Sequence, residues 1–193
     1  MPRSEVFIRE EVLDKAIEVF WQKGYNGTSM QDLTESTGLN RSSIYNSFGS
    51  KLNLYLEVLK RYRSLNSAVF RKALMEGGNP LESLKKVFSL FMEISLADPS
   101  QRGCMVTNCQ AEMSRQETNI KNWLDKNHLD NLSFFEDLVR DAQNQGQVNK
   151  EKSAEEYALY LMSSFLGIRI VTMTVTDKNQ LTQLIDTIFT NLS

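Results

Sequence analysis

The chain has 193 residues, 41% of them hydrophobic and 24% charged, with a net charge of −2, an ordinary soluble globular composition suited to one or two small domains. Two cysteines, Cys104 and Cys109, make no disulfide framework, and the polar opening MPRSEVFIREE predicts no signal peptide, so a cytoplasmic chain is expected. Net charge offers nothing to a polyanion: residues 1–63 carry nine Lys/Arg against eight Asp/Glu, and the remainder thirteen against sixteen. An argument for nucleic acid therefore rests on where side chains sit.

Nine glycines and three prolines favour long helices. Residues 8–23 place Val12, Leu13, Ala16, Ile17 and Phe20 on one face, and Gly24 stops that helix. Thr28 to Thr37 is a second, short helix, with Thr28 and Gln31 as a capping box and Met30 and Leu33 as buried contacts. Gly38 ends it, Leu39 plugs the turn and Asn40 caps a third helix. Two short helices across a tight glycine turn make a helix-turn-helix. A long helix follows over about 52–75, broken by Gly77, Gly78 and Asn79, and Pro80 opens the next at its first position, running to about Ala97. Shorter and longer helices are expected over 104–113 and 117–144. Ser153 and Glu156 form a second capping box for a helix to about Val175, and a last amphipathic helix carries Leu181, Leu184, Ile185, Ile188, Phe189 and Leu192. No useful length of period-two alternation occurs. The expected fold is all-α, about nine helices: a helix-turn-helix domain over 1–50 and a larger helical domain over 51–193.

The third helix, LNRSSIYNSFGSK from Leu39 to Lys51, has little to bury. Ile44, Tyr45 and Phe48 hold it down, which leaves Arg41, Ser42, Ser43, Asn46 and Ser47 mostly outside. In a major groove such residues reach base edges and phosphates. Arg41 suits guanine or phosphate, Asn46 suits adenine, and the serines suit phosphate oxygens. The Tyr45 ring is expected to be buried with its hydroxyl toward a phosphate. Thr28, at a helix N-terminus, suits a second phosphate, and Lys51 a third. A serine-rich helix alone is more often a solvated surface; the capped helix, glycine turn and following Phe-Gly-Ser-Lys give it context.

Over residues 8–56 the chain resembles the DNA-binding domain of TetR-type bacterial transcriptional regulators. The resemblance lies in an apolar first helix, Gly24-Tyr25, Thr28, Gly38-Leu39, Tyr45 with Phe48, and Lys51. It departs at Asn46 and Ser47, where many members carry an aromatic and a histidine, and at Thr34, Ser36 and Thr37, where alanines are usual. The resemblance implies a homodimer that binds a palindromic operator in double-stranded DNA, and a C-terminal domain that dimerises and encloses an inducer pocket.

Residues 157–175, YALYLMSSFLGIRIVTMTV, are apolar nearly all round. Arg169 inside the run argues against a membrane span and for a helix that needs partners on every face. Phe165, Ile168, Val171, Leu181, Leu184, Ile185 and Ile188 are the expected dimer contacts. RGCMVTNCQAEM, from Arg102 to Met113, resembles a Gly-Cys-x-x-x-Asn element of one branch of the family. Cys104 or Cys109 is either a sensor thiol beside a cation such as Arg102 or His128, or a small buried hydrophobe. The single His128 has no second histidine for a metal, so no metal and no cofactor are expected; it reads as a core histidine or, next, as a polar group in an apolar pocket. Met92, Cys104, Met105, Asn108, Trp123, His128 and Phe135 are the candidate pocket residues. The acidic remainder makes a strongly anionic inducer the less expected kind. Three alternatives stand beside a DNA-binding repressor: a thiol-sensing regulator, a helical interaction module, and an enzyme using Cys104 and His128. No nucleophile motif or phosphate loop supports the last.

Overall fold

A computed structural model describes residues 7–192; the leader reading on Met1–Val6 lies outside them. The described residues form nine α-helices and no strand: α1 (Arg9–Gly27), α2 (Met30–Thr37), α3 (Arg41–Phe48), α4 (Lys51–Glu76), α5 (Pro80–Leu96), α6 (Met105–Met113), α7 (Thr118–Asn144), α8 (Ala154–Val171) and α9 (Lys178–Thr190). The all-α expectation holds, helix by helix. The eighth is shorter than expected: Thr172 caps it, and its N–H bonds back to the Ile168 and Ile170 carbonyls.

Side-chain caps fix most starts. Asn40, Ser50 and Asn79 each accept from the backbone N–H three residues on, and Ser153 with Glu156 forms the expected box. The box of α2 is one residue later than the sequence reading placed it. Ser29, not Thr28, accepts from the Asp32 N–H, and the Asp32 carboxylate accepts from the Ser29 N–H. Thr28 turns inward, 2% exposed, and donates its hydroxyl to the Gly24 carbonyl at 2.6 Å.

The helices pack into two cores. The first joins Val12, Ile17, Phe20, Leu33, Ile44 and Phe48 to Leu54–Tyr62 of α4, and also to Cys104, Met105, Cys109, Met113, Ile120 and Leu124. The second runs from Ala73 through α5, the far half of α7, α8 and α9 to Leu192. The cores therefore do not divide at residue 50. They divide inside α4 and inside α7, and α6 belongs with the N-terminal helices.

The second core absorbs most of the expected dimer contacts. Phe165, Ile168, Leu181, Ile185 and Ile188 are between 1% and 6% exposed within a single chain. Val171 is half-buried, and Leu184 alone of that set is open, at 37%. The open apolar side chains of α8 are instead Leu159 and Ile170. They share an outward stripe with Ser163 and Gly167 at helical spacing. Among the described residues, no helix is long and apolar enough to cross a membrane.

Candidate nucleic-acid interface

α2 ends on Gly38, in the left-handed region at φ 75°. A residue with a Cβ is strained there, so glycine lets the chain reverse at once into α3. Ile44 and Phe48 anchor α3 from beneath, 0% and 4% exposed. Asn40, Arg41, Ser42 and Asn46 are exposed, and Ser43 and Ser47 are half-buried. Tyr45 departs from expectation: its ring is 38% exposed, not buried, and lies 5.7 Å from the Arg41 guanidinium. The outward surface is thus Arg41, Ser42, Tyr45 and Asn46 together, with Asn40 spent as the cap on the Ser43 N–H at 2.8 Å.

A clamp absent from the sequence reading steadies the far end of α3. Arg9 of α1 donates to the Ser47 carbonyl at 3.3 Å, pairs with Glu57 of α4 at 2.8 Å and lies over the Phe48 ring. Lys51 stands 4.4 Å over the Tyr25 ring, and partial burial lowers its pKa. The start of α2 already holds an anion. The Asp32 carboxylate caps it and pairs with Lys23 at 2.6 Å, and these bonds hold its pKa down to about 2. Beside Thr28, the Ser29 and Asp32 N–H groups are therefore satisfied within the chain, next to its own negative charge.

α6 braces this motif from behind. The Glu112 carboxylate accepts from the Tyr25 N–H at 3.0 Å and the Asn26 N–H at 2.8 Å, just past the break at Gly24. Gly24 has φ 71°, and a Cβ on it would stand 2.9 Å from a Glu112 oxygen. The positive φ favours glycine there, and a side chain would also push the Glu112 carboxylate off its two N–H partners. At the other end of α6, Arg102 stacks on Trp21 at 4.0 Å, pairs with Asp98 and Glu18, and receives an Asn108 amide bond on its carbonyl. The Gly-Cys-x-x-x-Asn element is in this structure a knot that fastens α6 to α1. Replacing Glu112 by alanine should cost about 1–2 kcal/mol, as expected for charge-assisted bonds at a part-exposed site. Hydrogen exchange at Tyr25 and Asn26 should speed up locally; unchanged protection there would contradict this brace.

Above the brace, α4, α6, α7 and α8 enclose a cavity of about 300 Å³. Of the candidate pocket residues, Cys104 and His128 line it. Met92 and Phe135 belong to the second core, Met105 to the first. Trp123 packs on the first core, and Asn108 serves the Arg102 carbonyl. Their neighbours line the cavity instead: Val106, Thr107, Leu124 and Phe134, with Arg169, Arg63 and Asn66. His128 is half-buried on that wall, while Asn127 beside it is buried, so His128 is not a fully buried core residue. Both cysteines are buried, and burial pushes the Cys109 thiol up to about 11, so the thiolate that oxidants attack is scarce. No group of three or more His, Cys, Asp or Glu among the described residues is placed to hold a metal ion.

Two family models match the chain: "Bacterial regulatory proteins, tetR family" over residues 12–58, and "Tetracyclin repressor-like, C-terminal domain" over residues 80–188. The uncharacterized HTH-type transcriptional regulator YezE of Bacillus subtilis (strain 168) is 30% identical over 190 residues, 96% of each chain. The HTH-type transcriptional repressor ComR of Escherichia coli (strain K12) is 28% identical over 87% of this chain and 80% of its own. Among solved structures, the TetR family transcriptional regulator CifR, a cysteine mutant complexed with a 26-bp double-strand operator DNA, superposes with a TM-score of 0.85 at 23% identity, covering 98% of both chains.

Proposed function

The chain belongs to the tetR family of bacterial regulatory proteins and is a DNA-binding transcriptional regulator of helix-turn-helix type; from that premise we propose a dimeric repressor that a small ligand releases from a palindromic operator. The observation that carries the DNA-reading part is the outward face of α3. Arg41, Ser42, Tyr45 and Asn46 share one exposed side of a helix that Ile44 and Phe48 fix from below. An eight-residue helix is about 12 Å long and reads few bases, so specificity calls for two copies with half-sites about 34–36 Å apart. The open stripe of Leu159, Ser163, Gly167 and Ile170 on α8, flanked by Leu184 on α9, is the surface we assign to that pairing. Its small residues let two helices approach closely.

The release part rests on α6, which touches both ends of the device. Val106, Thr107 and Gln110 line the cavity, and Glu112, on the same helix, holds the α1 end through Tyr25 and Asn26. A ligand that favours a shifted α6 displaces the helix-turn-helix of each protomer and spoils the half-site spacing. Loss of most occupancy then takes a few kcal/mol of differential affinity between the two states. Binding, not bond-making, is the proposed work, carried out in the cytoplasm.

Selection of duplexes from a random library by the purified protein, at two salt concentrations, tests the reading. The expected result is an enriched palindrome whose affinity falls steeply with salt. Arg41→Ala should weaken specific binding by about 1–3 kcal/mol and relax one position of each half-site, with folding intact. No enrichment at either salt, or a variant that binds the selected site normally, would overturn the α3 assignment.

A further inference from the structure

The cavity wall carries a guanidinium without a counter-charge. Arg169 of α8 is 8% exposed. Its Nη2 donates to the Tyr62 hydroxyl at 3.1 Å, and its Cζ lies 4.6 Å from the Phe91 ring centre. Its Nε is buried and unpartnered. Among the described residues no carboxylate pairs with it. Asp130, the carboxylate on this wall, is taken by Arg63 at 2.5 Å. Tyr62 does not supply the charge, since burial pushes its hydroxyl up to about 12. Thr107, which also lines the cavity, has a buried hydroxyl with no partner. Buried cations are normally paired, and one that is not, on a cavity wall, marks where an anionic ligand supplies the counter-charge.

The wall's charge has the same sense. Arg63, Arg71 and Arg169 stand against the single Asp130. The acidic balance of residues 64–193 argues against an anionic ligand, but it belongs to the outer surface; inside, the sign reverses. The rest of the wall mixes polar side chains, Asn66, Asn127 and Asn131 among them, with an apolar part that holds the Phe70, Phe134 and Phe165 rings. At about 300 Å³ the space sits at the low end for small-ligand sites.

We infer that the cavity takes a small organic carboxylate, its anionic head on Arg169 and its aromatic or short branched body against Phe70, Phe134 and Phe165. This rests on the reading of the protein as a ligand-released regulator and names the chemical class of that ligand. The guanidinium offers donors in a planar fork that fits a carboxylate, and the low-dielectric wall strengthens the pairing. A primary amide offers one acceptor oxygen where the carboxylate offers two and leaves the guanidinium without a counter-charge.

The test uses the full-length protein and three matched pairs: benzoate with benzamide, phenylacetate with phenylacetamide, and 4-methylpentanoate with its amide. Calorimetry and thermal melting read binding; operator binding is measured in the same samples. At least one acid should bind and raise Tm, with its amide weaker by about 100-fold. Arg169→Met should lose the acid by about 100-fold while its circular dichroism and ligand-free operator affinity stay as in the parent. Arg169→Lys should fall between. Failure of every acid, equal binding of acid and amide, or unchanged acid binding by Arg169→Met would overturn the inference. Should Arg169→Met not fold, Arg169→Lys and the acid–amide contrast on the parent protein decide it. The two readings fail separately: a protein that binds its operator but no acid refutes the carboxylate alone, and one that binds an acid without releasing DNA refutes the inducer role alone.

Discussion

Replacing Ile170 and Leu184 together by aspartate is expected to leave the protein folded but monomeric, and to weaken operator binding by about 10²–10⁴-fold. Both side chains are open in the single chain, 53% and 37% exposed, so neither substitution digs into a core. Around a two-fold axis the change places four carboxylates in one apolar patch. It also removes aliphatic burial worth roughly 1.5–3 kcal/mol per fully covered side chain. Light scattering gives the mass and operator titration the affinity. A dimer that survives would place the pairing surface elsewhere. The contrast with Ile185→Asp is instructive: Ile185 is 4% exposed, and a charge there should unfold the chain, not split a dimer.

The largest stability loss is expected from Phe165→Ala. Phe165 sits where rings converge, 5.1 Å from Phe91, 5.5 Å from Phe88, 5.7 Å from Phe135 and 5.9 Å from Phe70 between ring centres. Those rings come from α4, α5 and α7, so their positions are pinned by three helices and cannot collapse freely into the space. Loss of about 3–5 kcal/mol follows for a buried Phe→Ala change, with Tm lower by roughly 2–4 °C for each kcal/mol in a chain of this size. Urea unfolding followed by circular dichroism measures it. A loss under about 1 kcal/mol would mean that the cluster repacks. Both tryptophans, Trp21 and Trp123, pack on the other core, so their fluorescence reports separately whether that core melts in step.

Local signals in the sequence were enough for the helices and for Arg41, Ser42 and Asn46 on the outward face of α3, though not for Tyr45, Ser43 and Ser47. The caps at Asn40 and Ser153 lie three residues before the backbone N–H they satisfy, and that rule works along the chain alone. It fails where it is degenerate. Thr28 with Gln31 and Ser29 with Asp32 both fit a three-residue spacing, and only tertiary burial of Thr28 decides between them. The burial of Phe165, Ile168, Leu181, Ile185 and Ile188 within one chain escapes local signals for a related reason. A helix apolar on every side carries no phase, so nothing local says that Phe165 and Ile168 point in while Leu159 and Ile170 point out. Of the cavity, only Cys104 and His128 were within reach of the sequence. Tyr62 and Arg169 meet across 107 positions of chain, and that the Arg169 Nε has no partner is a property of the folded chain alone. His128 and Asn127 differ by a single step around α7, and periodicity does not resolve one step.

The division of the cores sets a limit on modular engineering. Regulators of this shape invite exchange: one protein's reading head joined to another's receiver to make a new switch. A cut at residue 50 would strip the head of Leu54–Tyr62 and of Cys104, Met105, Cys109, Met113, Ile120 and Leu124, which fill its core. The core of the head is discontinuous in the chain. It comprises the first four helices to about Tyr62, together with α6 and the opening turns of α7, threaded through the receiver between its own α5 and the rest of α7. A hybrid that keeps both halves intact must therefore splice at several points, inside two long helices, where phase and length have to be conserved to the residue.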